Sequence, residues 1–355
     1  MSKAAELAAL IGSQTALSNR NLIINGAMQV AQRGTQTNQT TAYTACDRFQ
    51  FVVVDSSAVV TSTQSTTVPS GQGFASSLKL DVTTADSSLA SSDLAFLRQT
   101  IEAQNLQHLN YGTSSPKSLT LSFWVRSSKT GTHIAELRHD DVTYFNSQVY
   151  TISSADTWQK VTLTYDGYVT TGINNDNGAG IKINWWLAAG SDYSGGTLSS
   201  NTWQNTQANR AVGQVNVMDS TSNNFYLTGV QLELGEQATP FEHRSYQDEV
   251  ARCQRYFQRV EGTVFPCRQV NSTSSGAITS STVHLPIFNG VMRAEPTLTG
   301  ANITLRSESG STTATVTSLV SGAHKQSLVT ANFGSADVTN ITQLRSDYIN
   351  IDADL

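Results

Sequence analysis

Charge is scarce in this chain. Asp, Glu, Lys and Arg make up 14% of its 355 residues, against roughly 25% in an ordinary soluble domain. The polar surface must therefore come from Ser, Thr, Asn and Gln, a composition common on extracellular β-proteins. The net charge of -5 leaves no basic footprint, which argues against nucleic-acid binding. Cysteine is nearly absent. Cys46, Cys253 and Cys267 are too few, and odd in number, for a disulfide framework; they are expected to be isolated or buried thiols, with no positive support for a Cys253–Cys267 bridge. That usage fits synthesis in a reducing cytoplasm. No apolar run approaches the ~20 residues of a membrane span, and Met1–Gly12 lacks the long apolar core and cleavage site of a signal peptide. The sequence also lacks a Cys/His cluster at zinc spacing, an HExxH motif, a Gly-rich phosphate loop and a GxSxG elbow.

What the chain does have is alternation. Phe49–Val54, Ser77–Val82, Ser118–Arg126, Trp158–Tyr165, Ile181–Leu187 and Phe225–Leu234 read as strands, the clearest of them with the period of two that a half-buried strand requires. Gly-, Asn- and Ser-rich turns such as Asn174–Gly180 and Ser194–Gly196 separate them. This pattern, from Asn21 to about Phe241, predicts one two-sheet sandwich. Asp93–Leu109 carries Leu94, Leu97, Ile101 and Leu106 at helical spacing and predicts a short helical insert.

Helices are expected at two further places. Ser2 can cap a short helix to Ile11, with Leu7, Leu10 and Ile11 on one face, Gly12 ending it and Ser13–Asn19 as a linker. Ser245 and Asp248 form a capping box, followed by Tyr246, Val250, Cys253, Phe257 and Val260 at spacings of three and four. That stripe either packs on the preceding sandwich or surrounds a symmetry axis. Beyond it, Ser280–Ile287, Ile303–Arg306, Thr313–Thr317 and Tyr348–Ile351 are candidate strands of a second, smaller β-domain. The expected organisation is an arm at 1–19, a sandwich at 20–243, a linker helix at 244–262 and a C-terminal β-domain at 263–355.

Candidate chemistry is sparse. His108, His133, His139, His243, His284 and His324 are scattered, as expected of surface or hydrogen-bonded residues. His139-Asp140-Asp141 and the loop residues Asn174, Asp176 and Asn177 offer oxygen ligands for a cation, but turn chemistry accounts for them equally. Glu233 and Glu236 are the nearest approach to the carboxylate pair of a glycoside hydrolase, and are expected on a solvated strand face and turn. The aromatics are more informative. Trp185 and Trp186 are adjacent on a strand and so point to opposite faces; one fills the core, and the other faces outward or lies under a loop or a subunit. An outward Trp, flanked by Tyr193 and Trp203, makes a platform for the apolar face of a sugar. Phe123 and Trp124 also alternate faces, and Trp124 and Trp158 are expected in the core.

The stretch Asn21–Gly34 with Asp47-Arg48-Phe49, then Phe225–Gly235 with Ala238–Glu242, the segment Tyr246–Phe257, the run Met292–Thr297 and the Ile351–Leu355 ending together resemble tail-fibre and other structural proteins of marine tailed phages. The strand set from Ser118 to Leu234 is similar to xylanase-associated carbohydrate-binding modules of the jelly-roll type. The resemblance implies an all-β protein with an antiparallel jelly-roll sandwich, exposed on a virion assembled in the host cytoplasm. It implies a non-enzymatic tail fibre that recognises host surface glycan, favoured over a capsid or tail decoration protein and over a glycan depolymerase. The implied partners are other virion proteins, held through the N-terminal arm, and sister subunits of a homotrimer. Leu7, Leu10, Ile11, Tyr246, Val250 and Phe257 are the interface candidates. Nucleic acid and membrane insertion are not expected. Modules of this type often hold a structural calcium through an acidic residue just before the apolar run of the last strand. Thr228 and Gly229 stand there in this chain, which weakens the case for a structural calcium, the one cofactor the resemblance leaves open; no other is expected.

Overall fold

Alternation along the strands builds two antiparallel sheets that share one core. The computed structural model describes residues 19–272, 278–284, 292–294, 296–301, 304–307, 313–321, 328–333 and 341–354. The expected helix at 2–11, with Leu7, Leu10 and Ile11, lies outside the described residues. The chain divides into two units at Glu249–Val250.

In the first unit, one sheet runs β1 (Gln36–Gln39), β4 (Val59–Ser65), β5 (Ser77–Thr84), β12 (Asn224–Leu234), β7 (Leu119–Ser127) and β10 (Gln159–Tyr165). The other runs β2 (Ala42–Tyr43), β3 (Phe49–Val54), β6 (Leu94–Glu102), β11 (Ala179–Ala189), β8 (Gly131–His139) and β9 (Tyr144–Ile152). This is an antiparallel jelly-roll sandwich. On β7, Leu119, Leu121, Phe123 and Val125 are fully buried. They meet Phe49, Phe51, Leu97, Leu137, Ile183 and Trp185 of the other sheet in one core. Each such side chain withdrawn from water contributes roughly 1.5–3 kcal/mol, so the inner faces dominate the unit's stability.

Two expectations about helices are corrected. Asp93–Leu109 is mainly strand β6, followed by a 3-10 helix at Ala103–Leu109. Leu94, Phe96, Leu97 and Ile101 are all buried because β6 is covered on both faces, so a spacing of three and four there carried no helical information. The helix after the sandwich is shorter than its stripe suggests. α1 (Ser191–Ser194) is a single turn within a loop, and α2 (Tyr246–Gln254) is the capped segment. Asp248 N donates to Ser245 Oγ at 3.2 Å, as the capping box requires. Phe257 and Val260 are not on this helix but in strand β13 (Phe257–Ser272), where Phe257 is buried. Tyr246 is 63% exposed and Val250 is half-buried, and of the five expected stripe residues Tyr246, Val250 and Cys253 lie on the helix.

The second unit is a hydrogen-bonded circuit of antiparallel strands. β13 pairs with β14 (Ile278–His284) and also with β19 (Ile341–Asp352). β14, β18 (Leu328–Phe333), β17 (Thr313–Ser321) and β16 (Thr304–Ser307) close the path back to β19, and β15 (Thr297–Ala301) adds at its edge. β13 pairs with β19 through its first part and with β14 through its last, which lets one long strand serve two sheet segments.

The segment before β1 is fixed by hydrogen bonding within the first unit. Where β5 stops pairing with β12, residues 21–26 take over. Leu22 N donates to Leu232 O and Val230 N to Gly26 O, both at 2.9 Å. Asn21 Nδ2 donates to Val230 O, and its Oδ1 accepts from Ile23 N and Leu232 N. Asn25 holds the next turn through Val30 and Asp47 O. A Cβ at Gly26 would lie 2.1 Å from Val230 O, which excludes any other residue there.

Candidate functional site

The first sheet turns a second face away from the core, and a groove forms there around a bulge. The register of β12 against β7 shifts between Thr228 and Gln231, with Gly229 at φ +60°, the left-handed conformation that suits a glycine bulge. The bare Gly229 backbone is the floor of the groove. A Cβ there would stand 2.6 Å from Phe74 Cζ and 3.0 Å from Trp124 Cδ1. Trp124 projects from β7, directly opposite Lys160 on β10. Phe74 comes from the connection between β4 and β5. The far wall is Ala238–Phe241 and His243, from the segment that folds back after β12. Phe74, Phe241 and His243 form a three-ring cluster, with centroids 5.1 Å (Phe74–Phe241), 5.6 Å (Phe74–His243) and 4.9 Å (Phe241–His243) apart. The open groove has a volume of about 520 Å³, within the roughly 300–1,000 Å³ typical of small-ligand sites.

The wall is braced by buried polar groups. Glu233 is fully buried and accepts hydrogen bonds from Thr239 N (2.9 Å), Thr239 Oγ1 (2.6 Å) and Gln231 Nε2 (2.8 Å). Gln231 Oε1 accepts from Glu242 N. Glu242 accepts from Asn19 N and Asn21 N. Burial would raise the Glu242 carboxyl, but these backbone donors with Arg244 and Arg20 hold it below its ordinary range. Arg244 donates to Ile23 O and pairs with Glu249 at 2.9 Å. Glu233 is therefore not on a solvated face as expected; it is a structural acceptor, while Glu236 is exposed. No Asp or Glu lines the groove, so it holds no carboxylate pair for hydrolysis.

The expected sugar platform is corrected. Trp185 and Trp186 do point to opposite faces, but both have 0% exposure. Trp185 packs in the core, edge-on to Phe123. Trp186 lies under the loop that follows β11, against Phe96, Tyr193 and Arg210. Tyr193 is half-buried on that same cluster. Trp203 is elsewhere, half-buried against Tyr111 and Tyr168, with its Nε1 donating to Asp166 O at 2.6 Å. The four aromatics do not converge, and neither 185 nor 186 offers a ring face to a ligand. Trp124 was expected in the core. It is half-buried on the outer face, and Phe123 takes the inward position. Trp158 is also half-buried, edge-on to Tyr226.

The oxygen-rich loops are occupied internally. Asp140 pairs with Lys182 at 2.7 Å and Arg138 at 3.1 Å. Asp141 accepts from Asn174 N and Nδ2, and Asp176 Oδ1 accepts from Gly178 N. Among the described residues no group of three or more His, Cys, Asp or Glu is placed to hold a metal ion. Thr228 Oγ1 donates to Ser76 O at 2.7 Å and Gly229 has no side chain, so neither position offers a carboxylate.

The floor provides a direct test of this geometry. Gly229→Ala is expected to cost roughly 1–2 kcal/mol, from the left-handed backbone and the contact with Phe74. Urea denaturation of the variant would check it.

Fold and groove together define the class: a jelly-roll sandwich with an aromatic groove on the outer face of one sheet. No family model and no curated protein matches the chain. Solved structures to which parts of this chain are similar include the enzymatically active domain of tailspike protein 4 of bacteriophage CBA120, 16% identical, covering 61% of this chain at a TM-score of 0.30. The match spans only 22% of that tailspike domain. A family 11 carbohydrate-binding module of a Clostridium thermocellum cellulase is 12% identical, covering 58% of this chain and 97% of the module at a TM-score of 0.28. The module TmCBM61, solved with β-1,4-galactotriose, is 13% identical, covering 61% of this chain and 100% of its own at a TM-score of 0.30.

Proposed function

We propose that the first unit is a non-catalytic glycan-binding module, carried on the surface of a tailed-phage particle as part of a tail fibre that recognises host surface polysaccharide. The observation that carries the binding function is the groove. The half-buried indole of Trp124, a second aromatic wall at Phe74 and Phe241, and a few polar groups at Gln72, Ser122 and Thr239 match what a sugar requires: aromatic surface for its ring and donors and acceptors for its hydroxyls. The absence of any lining carboxylate supports binding without cleavage. The placement on a phage rests on the sequence resemblance of Asn21–Gly34, Phe225–Glu242 and Tyr246–Phe257. The proposed homotrimer and the arm at 1–19 as its mounting follow from the same resemblance.

Trp124→Ala is expected to weaken glycan binding by about 30-fold, the roughly 2 kcal/mol of an aromatic hot spot. The Trp is only half-buried, so the far-UV spectrum should be retained. Titration of wild type and variant against the best glycan from an array checks this; equal affinities would remove the groove from the function. Antibody label at the fibre tips of purified particles is the expected location, and label spread over the head would replace the tail-fibre reading with a decoration protein.

A further inference from the structure

We infer that the groove selects an acidic sugar, a uronic-acid residue of a polysaccharide, with the sugar carboxylate set against Lys160. This rests on the glycan-binding reading of the groove and adds the charge of the ligand. Of the lining residues, Lys160 and His243 are the only ionisable ones, and neither is an acid. Lys160 is exposed and stands directly across the β7–β10 pairing from Trp124, so a sugar stacked on the indole would bring its ring substituents to the ammonium.

The other cations on this sheet face are already neutralised. Lys79 pairs with Asp81 at 2.7 Å and Arg126 with Asp156 at 3.0 Å. Both also lie over the Tyr226 ring, which closes that part of the face. Among the described residues of this face, Lys160 is the cation without an acidic partner, and it is the one at the groove. The chain as a whole carries a net charge of -5, so an unbalanced cation here runs against the overall composition. Distant charges are screened over about 8–10 Å at physiological salt, so the cation that lines the groove, Lys160, acts on a ligand there with the least screening. A neutral sugar gains nothing from that charge, whereas a carboxylate on a ring stacked at Trp124 gains an ion pair and a charge-assisted hydrogen bond.

The test uses the full chain and pairs of polymers with identical linkages: polygalacturonate and alginate, each beside its carboxyl-reduced neutral form, titrated at low and at high salt. At low salt the acidic form is expected to bind at least ~3-fold more tightly than its reduced partner, a preference that shrinks with added salt. Lys160→Gln should bring that ratio to about one. Equal binding of both forms, lost in both with Trp124→Ala, would overturn the charge selection and leave the glycan-binding reading standing. Binding of neither acidic polymer, with the glycan chosen from the array still bound, would overturn the acidic-sugar selection alone; no glycan bound in either experiment would overturn both. Binding of the acidic forms that survives Trp124→Ala would reduce the interaction to ionic adsorption and likewise overturn the groove as the site.

Discussion

Replacing Arg210 with alanine is expected to destabilise the first unit by roughly 3–5 kcal/mol, the cost of stranding a buried charge. Arg210 makes a two-pronged bond to Glu136, 2.9 Å from Nε and 2.8 Å from Nη2. Glu136 has no exposed surface and also accepts from Asn184 Nδ2, whose Oδ1 accepts from Arg98. The guanidinium lies over the rings of Trp186, Phe145 and Tyr193. Burial would lower the Arg210 pKa, but the Glu136 charge and hydrogen bonds outweigh it and hold the group above its ordinary value. Truncation leaves the Glu136 carboxylate in a dry, ring-lined site with half its partners gone. Chemical denaturation measures the loss. The companion experiment is the double variant Glu136→Gln with Arg210→Met, which removes both charges and keeps an acceptor for Asn184. It should recover most of the stability. If the single variant lost less than about 1 kcal/mol, the ion pair would not be what holds the loop over Trp186.

The second large effect is loss of stability in acid. His133 is buried on β8, stacked on Tyr150, with its Nε2 bonded to Lys129 O at 3.2 Å. Burial lowers its pKa from 6.5 to about 4, only partly offset by the Lys129 carbonyl. The unfolded chain takes up a proton near pH 6.5 and the folded one only near pH 4, so stability falls as the pH drops through that window. The gap corresponds to roughly 3 kcal/mol at about 1.36 kcal/mol per unit. His139, lowered by its own burial, acts in the same direction. His133→Phe keeps the ring stack and removes the titration. Its urea midpoint should change much less between pH 7 and 4 than that of the wild type. Parallel pH profiles for the two proteins would disprove the assignment.

The legibility of the sequence followed burial. Strands with one face inward, such as β7 and β10, show their period of two directly. β8 was not legible because His133, Glu136 and His139 are polar and buried, so their pattern mimics a surface segment. β6 imitated a helix because both its faces are covered. At the site, adjacency gave opposite faces for Phe123 and Trp124 and for Trp185 and Trp186, but it cannot say which face is covered from outside. That depends on distant chain: the loop after β11 closes over Trp186, and Phe74 and Phe241 frame Trp124 without covering it. The one local sign was Gly229 inside an otherwise apolar strand, which marks a bulge and a close approach.

The bonds that join residues 19–26 to residues 230–249 have a mechanical consequence. The two ends of the first unit are fastened to each other by Asn21, Gly26, Glu242, Arg244 and Glu249 rather than to opposite ends of the sandwich. Tension drawn between those ends loads this clasp before any strand of the sheets is sheared. The clasp thus sets the force at which the unit begins to open, and forced opening is governed by the unfolding rate, not by the equilibrium stability. A unit pulled through its two ends would yield first at the clasp, with the core and the Trp124 groove still intact.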